Sequence, residues 1–237
     1  MSEEEMSRRG FLSQMWDLTK TASGLYLASA VLDTDEAQAQ TTQPKRIISV
    51  NDLPIAPEDA VKSKDYTDRV NFGRVPLYDV RKHREIYIAK NFQVHEFNKR
   101  STLANNKDGS LHDDFIRLDP NLVTLLQNTR DLVGPIDVVS GYRSNWYNNY
   151  LRSHGVKASK LSQHTSGRAA DCKSKLPIRE LADIFAQELA KLGIRGGIGV
   201  YDTFVHVDTA ENVGRKRKPS RRWGNHIAKG YHVREAA

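Results

Sequence analysis

The strongest constraint on the fold is a set of helix boundaries that can be read directly from the chain after residue 118. Asp119 and Pro120 provide an N-cap and a first helical residue, apolar residues follow at helical spacing, and Gly134 ends the segment. Pro177 opens a second helix with the same apolar spacing, and Gly193 lies just past its end. The sequence therefore predicts two helices, each with a continuous apolar face.

Short segments with strand character lie between and after these helices. The residues at 91–97 and 136–144 are expected to be extended, and the second of these runs into a glycine turn. The segment 145–155 predicts a short helix. The runs 196–201 and 204–208 predict two strands joined by a tight connection. Helices and strands that alternate irregularly in this way predict a small α+β domain.

The composition is that of a water-soluble globular protein. The chain has 237 residues, of which 38% are apolar and 27% are charged, enough for one core with an extension. It contains no run of about 18 apolar residues, so no permanent membrane span is expected. The single cysteine, Cys172, excludes an internal disulfide framework.

The N-terminus has the organisation of an export signal. Arg8 and Arg9 precede a weakly apolar stretch at 21–32, and small residues at 37–39 follow where a signal peptidase would cut. This order predicts a twin-arginine signal peptide over residues 1–39 and a location in the periplasm or cell envelope. Asp17 and Lys20, which lie between the arginine pair and the apolar stretch, keep open the alternative of an amphipathic N-terminal helix.

Charge is distributed unevenly along the chain. Residues 1–39 carry a net charge of −4, which leaves +11 for the remaining residues because the whole chain carries +7. Such a basic body favours an anionic partner, for example a cell wall. The basic run at 215–223 has one aromatic residue and no nucleic-acid motif, so it is interpreted as a solvated loop and no nucleic-acid partner is expected. Residues 40–90 predict an extension or linker.

Two segments contain candidate metal ligands. His164 and Asp171 lie seven residues apart around a glycine, among small residues. In a strand over 204–208, alternation places His206 and Asp208 on one face. Zinc binds histidine nitrogen and aspartate oxygen, and catalytic zinc sites use three protein ligands and keep one open position. Two strands carrying His164, Asp171 and His206 would supply those three ligands.

The motif S-x-H-x-x-G-x-A-x-D at 162–171 stands in a wider pattern. The segment SGYRS precedes it, and GGIGVY, FVHVD and an R-x-W sequence at 221–223 follow. This pattern resembles the D-alanyl-D-alanine peptidase family of zinc enzymes, and more narrowly its exported murein endopeptidase branch. The resemblance covers residues 91–225 and implies a hedgehog/DD-peptidase-like fold, with a central antiparallel sheet flanked by helices. Residues 226–237 would form a tail.

The resemblance also implies roles for individual residues. His164, Asp171 and His206 match the zinc ligands of the family, and zinc would activate the water that attacks a peptide bond of peptidoglycan. Arg143 matches the arginine that polarises the substrate carbonyl and stabilises the oxyanion. Ser162 would support the ligands or the substrate.

One position departs from the carboxypeptidase branch of the family. Thr203 stands where that branch has an acidic general base, which leaves Asp208 and Asp202 as candidates for the base. The third ligand is also open between His206 and Asp208, with His206 favoured. The alternative function is a non-catalytic, zinc-stabilised module that binds peptidoglycan or another ligand. The sequence leaves open the peptide bond that is cleaved and the oligomeric state.

Overall fold

A computed structural model of the chain describes residues 45–67, 75–98, 113–156, 158–210 and 221–234. The chain divides into two compact units, 1–42 and 43–237, and the first lies outside the described residues. The predicted export signal at 1–39 therefore lies outside the described residues. Residues 215–220, which are most of the basic run, lie outside them as well. Within the described ranges, no helix combines the length and the apolar character needed to cross a bilayer.

The described residues before residue 118 form short elements. They are a 3-10 helix (Val50–Asp52), α1 (Glu58–Lys62), β1 (Leu77–Asp79), β2 (Tyr87–Ala89), β3 (Phe92–Gln93), α2 (Val94–Phe97) and β4 (Phe115–Arg117). β1 pairs with β4 and β2 pairs with β3, both antiparallel. The expected extended segment at 91–97 is only partly extended. Its last four residues form a helical turn, because the Glu96 carboxylate accepts the Gln93 N–H at 2.8 Å and caps it.

The rest of the chain contains the longer helices and the main sheet. Its elements are α3 (Pro120–Val133), β5 (Ile136–Ser140), α4 (Asn145–Ser153), a 3-10 helix (Gln163–Ser166), β6 (Ala169–Ser174), α5 (Ile178–Lys191), β7 (Gly197–Val200), β8 (Val205–Asp208), β9 (Arg221–Trp223) and α6 (Asn225–Ala228). The predicted boundaries of α3 and α5 are confirmed. Asp119 caps α3 by accepting the Asn121 N–H at 3.0 Å, and Gly134 ends it at φ +80°.

The main sheet has five strands in the order β5-β6-β8-β7-β9. The first three pairings are antiparallel, whereas β9 runs parallel to β7. The expected α+β class is confirmed, but the sheet is mixed rather than wholly antiparallel. The reason is topological. Both β7 and β9 run in the opposite direction to β8, and β9 lies next to β7, so these two strands are parallel.

The two faces of this sheet differ in chemistry because side chains alternate along each strand. In β6, β7 and β8 one face is fully buried and packs in the same core as the leucines of α3 and α5; it consists of Ala170, Cys172, Ile198, Val200, Val205 and Val207. The opposite face carries the polar and small residues of β6, β7 and β8. The candidate metal ligands from β6 and β8 therefore lie on the face that the helical core does not cover.

Described residues of the predicted extension at 40–90 contribute to the same core. Val50, Leu53, Tyr78 and Val80 are all at most 3% exposed and belong to one cluster with residues of the main sheet. The burial of these side chains removes apolar surface from water, which is the main stabilising term of a core. This part of the chain is thus built into the domain that carries the candidate site.

Candidate metal centre

Strand register places two of the three candidate ligands side by side. Asp171 on β6 is directly opposite His206 on β8 in the antiparallel pairing. Directly opposite residues on one face have Cβ atoms about 5 Å apart, close enough for their side chains to touch. His206 Nδ1 lies 2.9 Å from Asp171 Oδ1.

The third candidate, His164, comes from a turn and not from a strand as the sequence had suggested. It lies in the 3-10 helix that precedes β6, and the Ser162 hydroxyl caps this helix by accepting the His164 N–H at 3.3 Å. Gly167 ends it at φ +70°, and a Cβ there would lie 2.1 Å from the carbonyl oxygen of Arg117. The serine and the glycine of the motif therefore shape the turn that presents the histidine.

The orientation of the His164 ring is fixed by a main-chain oxygen. Nδ1 lies 2.7 Å from the carbonyl oxygen of Gly141, which can only accept, so Nδ1 carries the proton and Nε2 has the lone pair. Gly141 is itself held close to Phe97, since a Cβ at this position would lie 2.4 Å from the Phe97 carbonyl oxygen. The SGYR segment thus positions His164 through its glycine.

The three donor atoms fit a tetrahedral zinc ion. His164 Nε2 is 3.1 Å from His206 Nδ1 and 3.3 Å from Asp171 Oδ1, and the third separation is the 2.9 Å given above. Ligands at about 2.0–2.1 Å from a tetrahedral zinc are about 3.3 Å apart. In the described parts of the chain, this is the one group of three or more His, Cys, Asp or Glu residues whose ligand atoms are this close. All three residues are at most 9% exposed.

The electrostatics of the pocket differ between its two histidines. Burial, together with the Arg143 guanidinium, lowers the pKa of His164 to about 4, so this imidazole is neutral. Burial acts to raise the pKa of Asp171, yet the two histidines hold it well below its usual range. Burial also acts to lower the pKa of His206, but hydrogen bonds to Asp171 and Asp208 outweigh it and raise this pKa to about 9. A metal has to displace that proton, because a ligand nitrogen must be deprotonated.

Asp208 contacts the other side of the His206 ring. Its Oδ2 is 3.4 Å from His206 Nε2, while Oδ1 accepts the N–H groups of Gly197 at 3.3 Å and Ala210 at 3.0 Å. Arg221 Nη2 also donates to Oδ1. Burial acts to raise the pKa of Asp208, but His206 and Arg221 lower it. The carboxylate is fully buried and does not belong to the group of three donor atoms.

Arg143 lies beside the carboxylate of Asp171, one of the candidate ligands. Its Nη2 donates to Asp171 Oδ2 at 2.7 Å, and its Nε donates to the Ser140 hydroxyl at 2.9 Å. These two bonds leave Nη1 without a partner among the described residues. The guanidinium side chain is 14% exposed, so it lies at the rim of the pocket and not inside the core.

The chain also matches a known protein family. A family model described as peptidoglycan L,D-endopeptidase MepK matches residues 80–216. The chain belongs to this family. The recognition of a murein endopeptidase branch from the sequence motifs is thereby confirmed.

Individual members of the MepK family match over most of the chain. The peptidoglycan L,D-endopeptidase MepK of Escherichia coli K12 is 27% identical over 208 residues, which cover 84% of this chain and 92% of the relative. The protein of the same name from Shigella flexneri gives the same values. The probable peptidoglycan L,D-endopeptidase MepK of Haemophilus influenzae is 31% identical over 132 residues, covering 53% of this chain and 67% of the relative. No solved structure gives a significant match.

The second carboxylate considered as a base, Asp202, lies elsewhere. It follows β7, and its Oδ2 accepts from Asn225 Nδ2 at 2.8 Å. His226 Nε2 is 3.4 Å from the Oδ1 atom of Asp202, and the Asp202 side chain is 57% exposed. Its contacts therefore tie Asp202 to α6 on the surface, whereas the three candidate ligands are buried.

The sequence motifs did not reveal the role of Trp223. Its indole packs against His206 with ring centroids 5.2 Å apart, and its Nε1 donates to the Tyr201 hydroxyl at 2.9 Å. Gly197 and Gly199 make room for it, since a Cβ at either glycine would lie 2.8 Å from an atom of the indole. Glycines at alternate positions of a buried strand were the sequence signal for this close approach.

We expect Gly199→Ala to disturb the packing around His206. The added methyl would meet both Trp223 and Tyr201 at less than 3 Å, so the rings must shift, and overpacking of this kind lowers the free energy of unfolding by about 1–3 kcal/mol. Chemical denaturation of the metal-free protein measures the change. In a Trp223→Ala background the same substitution should be less harmful. An equal penalty in both backgrounds would show that the indole is not what requires the glycine.

Proposed function

We propose that the chain is a zinc-dependent peptidase that hydrolyses peptide bonds in the stems or cross-links of peptidoglycan. The observation that carries the proposal is the buried group of three donor atoms at tetrahedral spacing, with an arginine directly beside it. The printed name of the relatives supports the substrate class, because they are peptidoglycan L,D-endopeptidases. The specific bond that this chain cleaves is part of the proposal: an L,D linkage, as in those relatives.

His164 Nε2, Asp171 Oδ1 and His206 Nδ1 would hold the metal. The contacts favour His206 over Asp208 as the third ligand, because Asp208 lies on the opposite nitrogen of the imidazole. When bound, zinc supplies a Lewis acid and brings the pKa of water close to neutrality. The chain contributes a preformed, buried group of donors that would need little rearrangement.

Arg143 is assigned to the substrate carbonyl. A fixed cation beside the reacting bond stabilises the negative charge that develops on the carbonyl oxygen, and it acts most strongly where water is excluded. The contacts of Nη2 and Nε hold the guanidinium in place, and Nη1 is left to donate to the substrate. The same residue therefore aligns Asp171 and presents a donor at the rim.

Asp208 and Ser162 support the ligands in this proposal. Asp208 accepts the Nε2–H of His206 and so keeps Nδ1 directed at the metal, an arrangement common for metal-binding histidines. Ser162 caps the turn that carries His164. Asp208 is fully buried and Asp202 is held against α6 on the surface, so neither carboxylate is assigned the role of general base in this proposal.

The proposed site of action is the periplasm or cell envelope, where peptidoglycan is found. The predicted twin-arginine signal at 1–39 and the basic body of the chain support this proposal. We expect a reporter fused to residues 1–45 to be exported, and the double substitution Arg8→Lys and Arg9→Lys to retain it in the cytoplasm. Fractionation with a reporter that is active only after export measures this. If the lysine variant were still exported, residues 1–39 would not be a twin-arginine signal.

Purified muropeptides provide the test of the function. Incubation with the zinc-loaded protein should give new fragments in mass spectrometry, and prior treatment with a chelator should abolish them. Zinc added back should restore the cleavage. The masses of the fragments identify the bond that is broken and so test the L,D assignment as well.

A second candidate function is a non-catalytic, zinc-stabilised binding module. It is favoured by Thr203, which stands where the carboxypeptidase branch has an acidic base. Intact muropeptides alongside one zinc per chain would support this second function and refute the first. Cleavage that depends on zinc would do the reverse.

A further inference from the structure

Strand β9 carries a charged group that the proposed mechanism does not use, and this group lies near the third candidate ligand. Arg221 Nη2 donates to Asp208 Oδ1, and Asp208 Oδ2 lies 3.4 Å from His206 Nε2. His206 Nδ1 in turn lies 2.9 Å from Asp171 Oδ1. A continuous series of polar contacts therefore runs from the edge strand of the sheet to the centre of the site.

The strand register explains how this arginine reaches the carboxylate. Gly197 on β7 is opposite Asp208 on one side and opposite Arg221 on the other. Because the residue between them has no side chain, the guanidinium can extend over it to the carboxylate. A Cβ at Gly197 would lie 2.4 Å from Asp208 Oδ2, so this path exists only with glycine at that position.

The neighbouring arginine makes different contacts. Arg222 Nη1 donates to the carbonyl oxygens of Arg221 at 2.9 Å and Gly196 at 3.4 Å. Successive side chains of a strand point to opposite faces, so Arg222 is directed away from the face that carries Asp208. Two arginines on the same short strand thus differ in whether they contact the carboxylate beside His206.

We propose that Arg221 is a positioning residue of the metal site: it fixes the Asp208 carboxylate, which holds the Nε2–H of His206 and so keeps Nδ1 directed at the metal. The inference rests on the proposed function only in taking His164, Asp171 and His206 as metal ligands. It adds a residue from a strand that contributes no ligand.

The physical need for this residue comes from the burial of Asp208. A carboxylate with 0% exposure is stable as an ion only with a counter-charge and satisfied oxygens. Arg221 supplies the charge, and the N–H groups of Gly197 and Ala210 supply the remaining bonds. Without the guanidinium, the carboxylate loses a charged partner that helps to fix its rotation, and the acceptor of the imidazole is then less firmly positioned.

Zinc affinity of the full chain, measured by competition with a chromophoric chelator, tests the proposal. We expect Arg221→Gln to weaken zinc binding by about 10–100-fold, the usual effect of losing a group that orients a metal ligand. The matched control is Arg222→Gln, which removes the same charge from the same strand and should leave the affinity unchanged. Unchanged affinity in Arg221→Gln would overturn the proposal.

A double-mutant cycle separates positioning from a general structural role. In an Asp208→Asn background, Arg221→Gln should weaken zinc binding little further, because the residue through which it acts is already altered. Equal losses in both backgrounds would overturn the proposal. Should Arg221→Gln fail to fold, Arg221→Lys replaces it, with an intermediate loss expected because an ammonium lacks the planar fork. A wild-type chain that binds no zinc would refute the proposed function itself, whereas zinc binding that ignores Arg221 refutes only its positioning role.

Discussion

Asp171→Ala should abolish both zinc binding and peptidase activity. The substitution removes Oδ1, which lies within 3.3 Å of the donor nitrogens of both histidines, and it also removes the acceptor of Arg143. Two ligands remain, fewer than the three that catalytic zinc sites use. We expect the zinc content after dialysis to fall from one per chain to near zero, and kcat/KM on muropeptides to fall by at least about 10³-fold.

Lys173→Ala is the matched control for this experiment. Lys173 lies on the same strand, β6, and its side chain is exposed to solvent. This variant should retain zinc and activity, and circular dichroism of both variants shows whether the fold is kept. A folded Asp171→Ala protein that still holds one zinc per chain would remove Asp171 from the ligand set.

The parts of the fold that depend on local sequence were predictable. Pro120 and Gly134 define the ends of α3 because proline fits the first turn of a helix and glycine adopts the positive φ that follows its last turn. Alternation within FVHVD placed His206 and Asp208 on one face, as the structure has them. Both inferences rest on backbone properties of a few neighbouring residues.

The parts that depend on long-range pairing were not predictable. Nothing in β6 or β8 alone indicates that Asp171 is opposite His206, since a shift of one residue would reverse every side chain. The parallel position of β9 and the contact of Arg221 with Asp208 depend on residues distant in sequence. The sequence motifs therefore indicated which residues form the candidate site, but not how they are oriented.

The choice between His206 and Asp208 as third ligand illustrates the same limit. Residues two apart on a strand share a face, so strand alternation is compatible with either residue, although His206 was the favoured one. The side-chain geometry favours His206, because its Nδ1 is near Asp171 while its Nε2 is near Asp208. The preference for His206 thus depends on the orientation of a single imidazole ring, which is determined by its neighbours in three dimensions.

Arg143→Ala should lower kcat strongly while zinc remains bound. The three donor atoms are intact in this variant, so the metal content should stay at one per chain. What is lost is the cation beside the reacting carbonyl, and removal of one such donor lowers kcat by about 10²–10³-fold. Steady-state kinetics on a muropeptide of known structure, with zinc content measured on the same samples, gives both values.

Two further variants show which function of the guanidinium matters. Arg143→Lys keeps the charge but has a single donor centre, so it cannot contact Asp171 and the substrate with separate nitrogens, and its kcat should be intermediate. Ser140→Ala removes only the bond to Nε and should have a small effect.

The alternative role of Arg143 predicts a different pattern. If this residue served only to align Asp171, zinc affinity would fall together with kcat in Arg143→Ala, and saturating zinc would restore the rate. A rate that stays low at saturating zinc can arise only from a step after metal binding. Since Nη1 has no partner among the described residues while Nη2 and Nε are both engaged, we expect that second result, and full activity of the zinc-saturated variant would exclude a direct contact with the substrate.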